Sequence, residues 1–193
     1  SVETIEQYAF DNVENLKTIN ISNNLNRINS NGIYMCDNLE YTEFDSGLYF
    51  GSVENPYMML YLVSDQNITE ITVHENTKII YAYSFKDCVN LEIVDLPSGL
   101  VNIGDKAFYG CKNLKSITLP SSLTSIGESA FYGCESITSV LVPLGITEIK
   151  QNTFEGCINL QDVVLSKNII SILDKAFYGC ENLKEINIPD SVT

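Results

Sequence analysis

The sequence predicts a single repeat solenoid: about eight 23-residue coils, rich in β-strand, with one short helical turn in each. Three observations predict it. The pentapeptide AFYGC occurs three times, at Ala107–Cys111, Ala130–Cys134 and Ala176–Cys180. With its phenylalanine as a marker, Phe85, Phe108, Phe131, Phe154 and Phe177 stand 23 residues apart, as do Phe10 and Ile33. All six cysteines, Cys36, Cys88, Cys111, Cys134, Cys157 and Cys180, stand three residues after a marker; Val13 takes that place after Phe10.

Each coil opens on a short strand such as Leu123–Ile126, with an isoleucine five residues before the marker (Ile80, Ile103, Ile126, Ile149, Ile172). The GDKAFYG segment (Gly104–Gly110) predicts one helical turn, with Asp105 favourable at its N-terminus and Gly110 left-handed at its end. Gly133, Gly156 and Gly179 repeat that glycine. Ala and Phe fill the core, and only the tyrosines Tyr109, Tyr132 and Tyr178 face outward. The second strand, in Leu114–Pro120, alternates Ile117 and Leu119 with polar residues. A proline closes it (Pro97, Pro120, Pro143, Pro189), where no further ladder donor is needed. Stacked coils bury what one coil cannot, and about eight of them at strand spacing span roughly 40 Å.

The third coil is irregular. With Leu62 as its marker, Ile68, Ile71 and Val73 fall where Leu114, Ile117 and Leu119 fall. Six extra residues lie between Phe44 and Leu62, and the two apolar-aromatic runs around Val53–Pro56 predict a hairpin in an irregular coil over 45–76. Packed as a side cover of the solenoid, the hairpin buries its aromatic residues; exposed, it is a binding knob. The chain opens at Ser1 and stops at Thr193 inside a repeat, so residues 1–193 read as one domain and a fragment of a longer protein.

The net charge of -14 excludes a nucleic-acid backbone as partner. No apolar run is long enough to span a bilayer, and because the chain opens at Ser1 with no Met a signal peptide is not visible in it. The cysteines are too far apart for a zinc site, which needs close pairs. Disulfides between adjacent coils fit the distance window, but Asp65 holds the slot of the irregular coil and isolates Cys36, so complete pairing fails. A ladder of small buried thiols is the simpler reading. His74 is the only histidine and has no nucleophile at recognisable spacing, so it reads as a surface residue without a role. No catalytic group, metal site or cofactor site is expected.

The chain resembles the BspA-like, or Treponema pallidum type, leucine-rich repeats, whose pattern runs I-x-x-I-G-x-x-A-F-x-x-C-x-x-L-x-x-I-x-I-P. Leu100–Pro120 fits it throughout and Leu123–Pro143 nearly so. The stretch Gly47–Val63 is similar to an insertion in that family. The resemblance implies a right-handed superhelix with a curved sheet. It also implies an extracellular or cell-surface location, and for some members adhesion to host matrix proteins. It carries over no binding residue.

Two outward positions per strand line the concave sheet. One row reads Asn20, Glu43, Thr72, Asp95, Thr118, Leu141, Val164, Asn187. The other reads Thr18, Tyr41, Glu70, Ile93, Ser116, Ser139, Asp162, Glu185. Leu141 and Val164 are apolar where polar residues belong, and Tyr41, Glu43, Glu70, Ile93 and Asp95 form an acidic patch with apolar members. These seven are the candidate partner-binding residues. The expected function is a non-enzymatic, adhesin-like interaction module with a protein partner. The alternatives are a passive spacer that presents another domain, and a carbohydrate-binding module that uses Tyr41 and nearby carboxylates.

Overall fold

The computed structural model describes residues 2–30, 32, 33, 36 and 38–193. Its strands are short. The first five are β1 (Thr4–Ile5), β2 (Arg27–Ile28), β3 (Thr42–Phe44), β4 (Gly47–Phe50) and β5 (Met59–Val63). Then come β6 (Glu70–Thr72), β7 (Ile79–Ile80), β8 (Ile93–Asp95), β9 (Asn102–Ile103) and β10 (Ser125–Ile126). The last four are β11 (Ser139–Leu141), β12 (Glu148–Ile149), β13 (Asp162–Val164) and β14 (Ser171–Ile172). Equivalent strands of successive coils pair in parallel, β7 with β9, β9 with β10, β12 with β14, and on the other side β6 with β8 and β11 with β13. The expected solenoid is present, and its repeat is the pairing register: Ile80 faces Ile103, and Ile103 faces Ile126.

The marker phenylalanines form a stack through the core. Ring centroids from Phe85 to Phe108, Phe131, Phe154 and Phe177 are 4.6, 5.3, 5.4 and 5.5 Å apart, with planes within 8°. The backbone locks each ring in place. Phe85 N donates to Ala107 O at 2.8 Å and Phe108 N to Ala130 O at 2.8 Å. The cysteine slot completes this corner. Cys111 Sγ donates to Phe85 O at 3.0 Å, Cys134 to Phe108 O and Cys157 to Phe131 O at 3.2 Å. Cys88, Cys111, Cys134, Cys157 and Cys180 are free thiols. Cysteine suits the site because it is small enough for the corner and gives a second donor to a carbonyl that already accepts a backbone N–H of its own coil, as Phe85 O accepts Cys88 N at 3.1 Å.

The AFYG segment is not the helical turn expected; no helix occurs among the described residues. Lys106 at φ 55° and Gly110 at φ 73° bracket Phe108 in the left-handed region. A helix needs consecutive right-handed residues, so the chain forms an arch that drives the ring inward. Asp105 therefore meets no helix terminus; its Oδ1 accepts Glu128 N of the next coil at 2.9 Å. Coils lie so close here that a Cβ on Gly127 would sit 2.3 Å from Asp105 N. Tyr109 and Tyr132 stack at 4.6 Å, half-buried, while Tyr178 is well exposed.

The insertion is a three-stranded antiparallel meander, one strand more than the expected hairpin. Asp45 and Ser46, both left-handed at φ 42° and 62°, make the two-residue turn between β3 and β4. β4 then pairs with β5, and β5 joins the coil-opening strands, with Leu60 opposite Ile80. Leu62 consequently is not the marker of this coil. It is 39% exposed, and Val63, buried, takes the slot by donating N–H to Ser84 O at 3.1 Å.

The meander also divides the core. Tyr49, Leu60 and Ile80 face the phenylalanine stack. Phe50, Met59 and Ile79, one residue away on the same strands, face a second core with Ile21, Leu25, Ile28, Ile33 and Leu39. The first two coils thus pack on the opposite face of the sheet that closes the main core.

Removing a ring from the middle of the stack leaves a cavity that rigid neighbours cannot fill. Phe131→Ala is expected to lower unfolding free energy by about 3–5 kcal/mol in urea titration, and half-buried Phe177→Ala by clearly less.

Burial pushes the thiols up, Cys88 and Cys180 to about 11 and Cys134 well above its ordinary range. The fold holds them neutral, so their contribution is full below about pH 9 and is lost as pH rises through about 11. The unfolding free energy from urea titration should fall over this window, by up to about 1.4 kcal/mol per pH unit for each fully buried thiol. Cys134→Ala should make the fall shallower.

Candidate interaction surface

Strands β6, β8, β11 and β13 each bury only their central residue. Ile71, Val94, Val140 and Val163 point into the core, and the residues on either side point out. Register then aligns the outward residues into two rows. Glu70 faces Ile93, Thr72 faces Asp95, Ser139 faces Asp162, and Leu141 faces Val164. Leu141 is 66% exposed and Val164 57%, adjacent and uncovered by any local segment. From Glu70 to Glu185 the two rows carry four carboxylates, Glu70, Asp95, Asp162 and Glu185, and no lysine or arginine.

The structure brings five of the seven candidates onto this face: Glu70, Ile93 and Asp95 as one group, Leu141 and Val164 as another. Tyr41 and Glu43 lie apart from them, because β3 pairs antiparallel with β4 instead of extending the parallel row beside β6. Glu43 is opposite Leu48. Tyr41 packs on Phe50, with centroids 5.8 Å apart, and lines a cleft of about 290 Å³ between Thr18–Asn20 and the loop Gly51–Pro56.

A second groove forms where the meander meets the strand rows. It holds about 430 Å³ and is lined by Phe44, Thr72, Val73, His74, Glu75, Asp95, Leu96 and Pro97. His74, expected to be a surface residue without a role, is half-buried in its aromatic wall. Its ring stacks on Tyr57 at 3.7 Å and 13°, and Phe44 meets it edge-on at 4.9 Å. His74 Nδ1 accepts Asn76 N at 3.2 Å. Behind it, Tyr49 is buried and its phenol is pushed up to about 12 by desolvation. Asp45 Oδ2 accepts Thr72 N at 2.7 Å and ties the meander to the strand rows. Phe44 and His74 belong to different elements separated by the insertion, so no local pattern marks this groove.

These surfaces are suited to contact. His74 is held by two aromatic rings and a backbone amide, and no carboxylate among the described residues accepts a hydrogen bond from its ring. Burial raises the cysteine thiols away from the nucleophilic thiolate. Among the described residues no cluster of His, Cys, Asp and Glu is placed to hold a metal ion, and no helix is long and apolar enough to cross a membrane.

The pattern of stacked coils matches the BspA type leucine rich repeat region in six copies, over residues 1–76, 57–140 and 78–193. The chain belongs to that family. Solved structures agree. A leucine rich cell surface protein from Faecalibacterium prausnitzii A2-165 is 30% identical with a TM-score of 0.70, the match covering 95% of this chain and 50% of that one. A leucine-rich repeat protein from Eubacterium ventriosum is 26% identical with a TM-score of 0.60, covering 91% and 56%. The T. pallidum leucine rich repeat protein, 23% identical over 78% of this chain and 84% of its own, shares the fold with a TM-score of 0.64. The chain thus spans about half the length of the first two relatives. No curated protein matches it. Leucine-rich repeat proteins of this kind are typically protein-interaction modules.

The Asp45–Thr72 contact is the shorter of two polar ties between the meander and the β6 segment, the other being His74 N to Tyr49 Oη at 3.4 Å. Asp45→Ala is expected to cost about 1 kcal/mol, a fall in Tm of about 2–4 °C by calorimetry, without loss of the solenoid's far-ultraviolet signature.

Proposed function

We propose that this chain is a non-enzymatic, cell-surface or secreted interaction module of adhesin type that binds an extracellular protein through its strand rows. One observation carries the reading. Leu141 and Val164 stand side by side, well over half exposed, on a rigid face whose other conspicuous members are unneutralised carboxylates. Nothing in the core requires apolar residues there, since Val140 and Val163 already fill the inward positions. An exposed apolar pair on a repeat sheet is the usual anchor of a partner, because its burial gains hydrophobic free energy and the fixed scaffold loses little entropy. The F. prausnitzii relative is described as a cell surface protein, which supports the location. Host matrix proteins are the first partners to examine.

The test is binding of the purified chain to a panel of matrix proteins and glycans, beside the double variant Leu141→Asp with Val164→Asp, checked for folding. Loss of at least tenfold in affinity is expected for the variant, as for truncation of a central anchor. Equal binding by both would place the contact elsewhere. Binding of nothing by the parent would leave the spacer reading.

A further inference from the structure

We infer that the groove between Phe44 and the segment Val73–Pro97 seats a single apolar side chain of a cationic peptide segment. This rests on the reading of the chain as a protein-binding module and names the chemistry of one binding point. The floor is apolar: Val73 and Pro97 are buried, Leu96 is half-buried, and Phe44 presents 37% of its surface. Its size, about 430 Å³, admits one large side chain together with adjoining backbone. The rim is anionic. Glu75 and Asp95 are exposed carboxylates, neither in an ion pair among the described residues, and no lysine or arginine lines the groove.

Charge fixes the occupant's neighbours. The strand rows leading away from Asp95 carry carboxylates and no cation, in a chain of net charge -14. An acidic or neutral segment gains nothing from such a field, and an acidic one is repelled. A segment with lysine or arginine on both sides of its apolar residue gains attraction on approach and paired charges on seating. The exposed Phe44 ring offers its face to a neighbouring cation. The wall is preformed, since the Tyr57 stack, the Phe44 edge and the Asn76 hydrogen bond hold the His74 ring before any ligand arrives.

The probe is a blocked pentapeptide with leucine between two pairs of lysines, titrated into the whole chain and followed by amide chemical shifts. Two control peptides replace the leucine by serine, or the lysines by glutamates. Shift changes at Val73, His74 and Asp95 are expected with the first peptide. Either control should bind at least tenfold more weakly. Glu75→Gln with Asp95→Asn, both exposed and outside the core, should weaken the first peptide about tenfold and flatten its salt dependence. The charge-neutral pair Leu141→Ser with Val164→Ser should leave it unchanged, which separates this point from the wider face. If Leu141→Asp with Val164→Asp abolishes matrix-protein binding while the peptide ignores the groove, the interaction reading stands and the groove assignment falls. The assignment is overturned by absence of binding or by shifts confined to other surfaces. Equal binding of the serine peptide, equal binding of the glutamate peptide, or displacement by a neutral oligosaccharide would overturn it too.

Discussion

Everything in this molecule depends on how closely one coil sits on the next. The spacing of roughly 5 Å between phenylalanine rings is the spacing of paired β-strands, so ring stacking and backbone pairing are satisfied by the same translation. A coil that departed from it would lose its ring contact, the Phe N–H to Ala C=O bond and the thiol contact together. Glycine at 127 and the small thiol at each corner follow from that closeness. The result is a scaffold on which an outward residue of one coil is held beside the same position of the next. Rows of side chains are thereby a direct product of the repeat, and a surface written in rows can be changed one coil at a time without disturbing the core.

The meander is where this rule is broken, and it is also where the surface gains shape. Its strands are apolar on both faces because each face closes a different core, Tyr49 and Leu60 on one side, Phe50 and Met59 on the other. That arrangement explains how Gly47–Val63 buries Tyr49, Phe50, Met58 and Met59 while only Val53 and Leu62 of its large apolar residues are exposed. It also lifts β3 out of the parallel row, so that Tyr41 lines a cleft and Phe44 the wall of a groove. A regular solenoid offers a smooth sheet; the insertion adds the concavities.

Much of this was legible in the residues. The 23-residue spacing gave the coils and their register, and the alternation in Leu114–Pro120 gave the outward rows that β6, β8, β11 and β13 display. The glycines after Phe108, Phe131, Phe154 and Phe177 are expected to be left-handed and are so, and Asp87 takes the same conformation after Phe85. What was not legible has physical causes. The left-handed residue before the marker is Tyr8, Tyr83, Lys106, Ser129, Asn152 or Lys175, of which only Asn152 is a type that favours that region, so the sequence predicts a helical turn where the chain forms an arch. The Asp45–Ser46 turn was marked by a short polar pair before Gly47, yet the run of apolar residues beyond it drew the hairpin further on. Three residues separate Leu60 from Val63 where five separate Ile80 from Phe85, and counting from a fixed period therefore picked Leu62. The groove joins residues from either side of an insertion, and His74 acquires its place only in three dimensions.

The most direct measurement is native-state hydrogen exchange along the whole chain in increasing denaturant. If the phenylalanine stack is the element that holds the coils in register, the amides of Phe108, Phe131 and Phe154 will be the slowest and will converge on a single opening free energy. Ile21 and Leu25, which belong to the second core, will open earlier and separately. Ladder amides that open coil by coil, each with its own free energy and no faster for the first two coils, would contradict it.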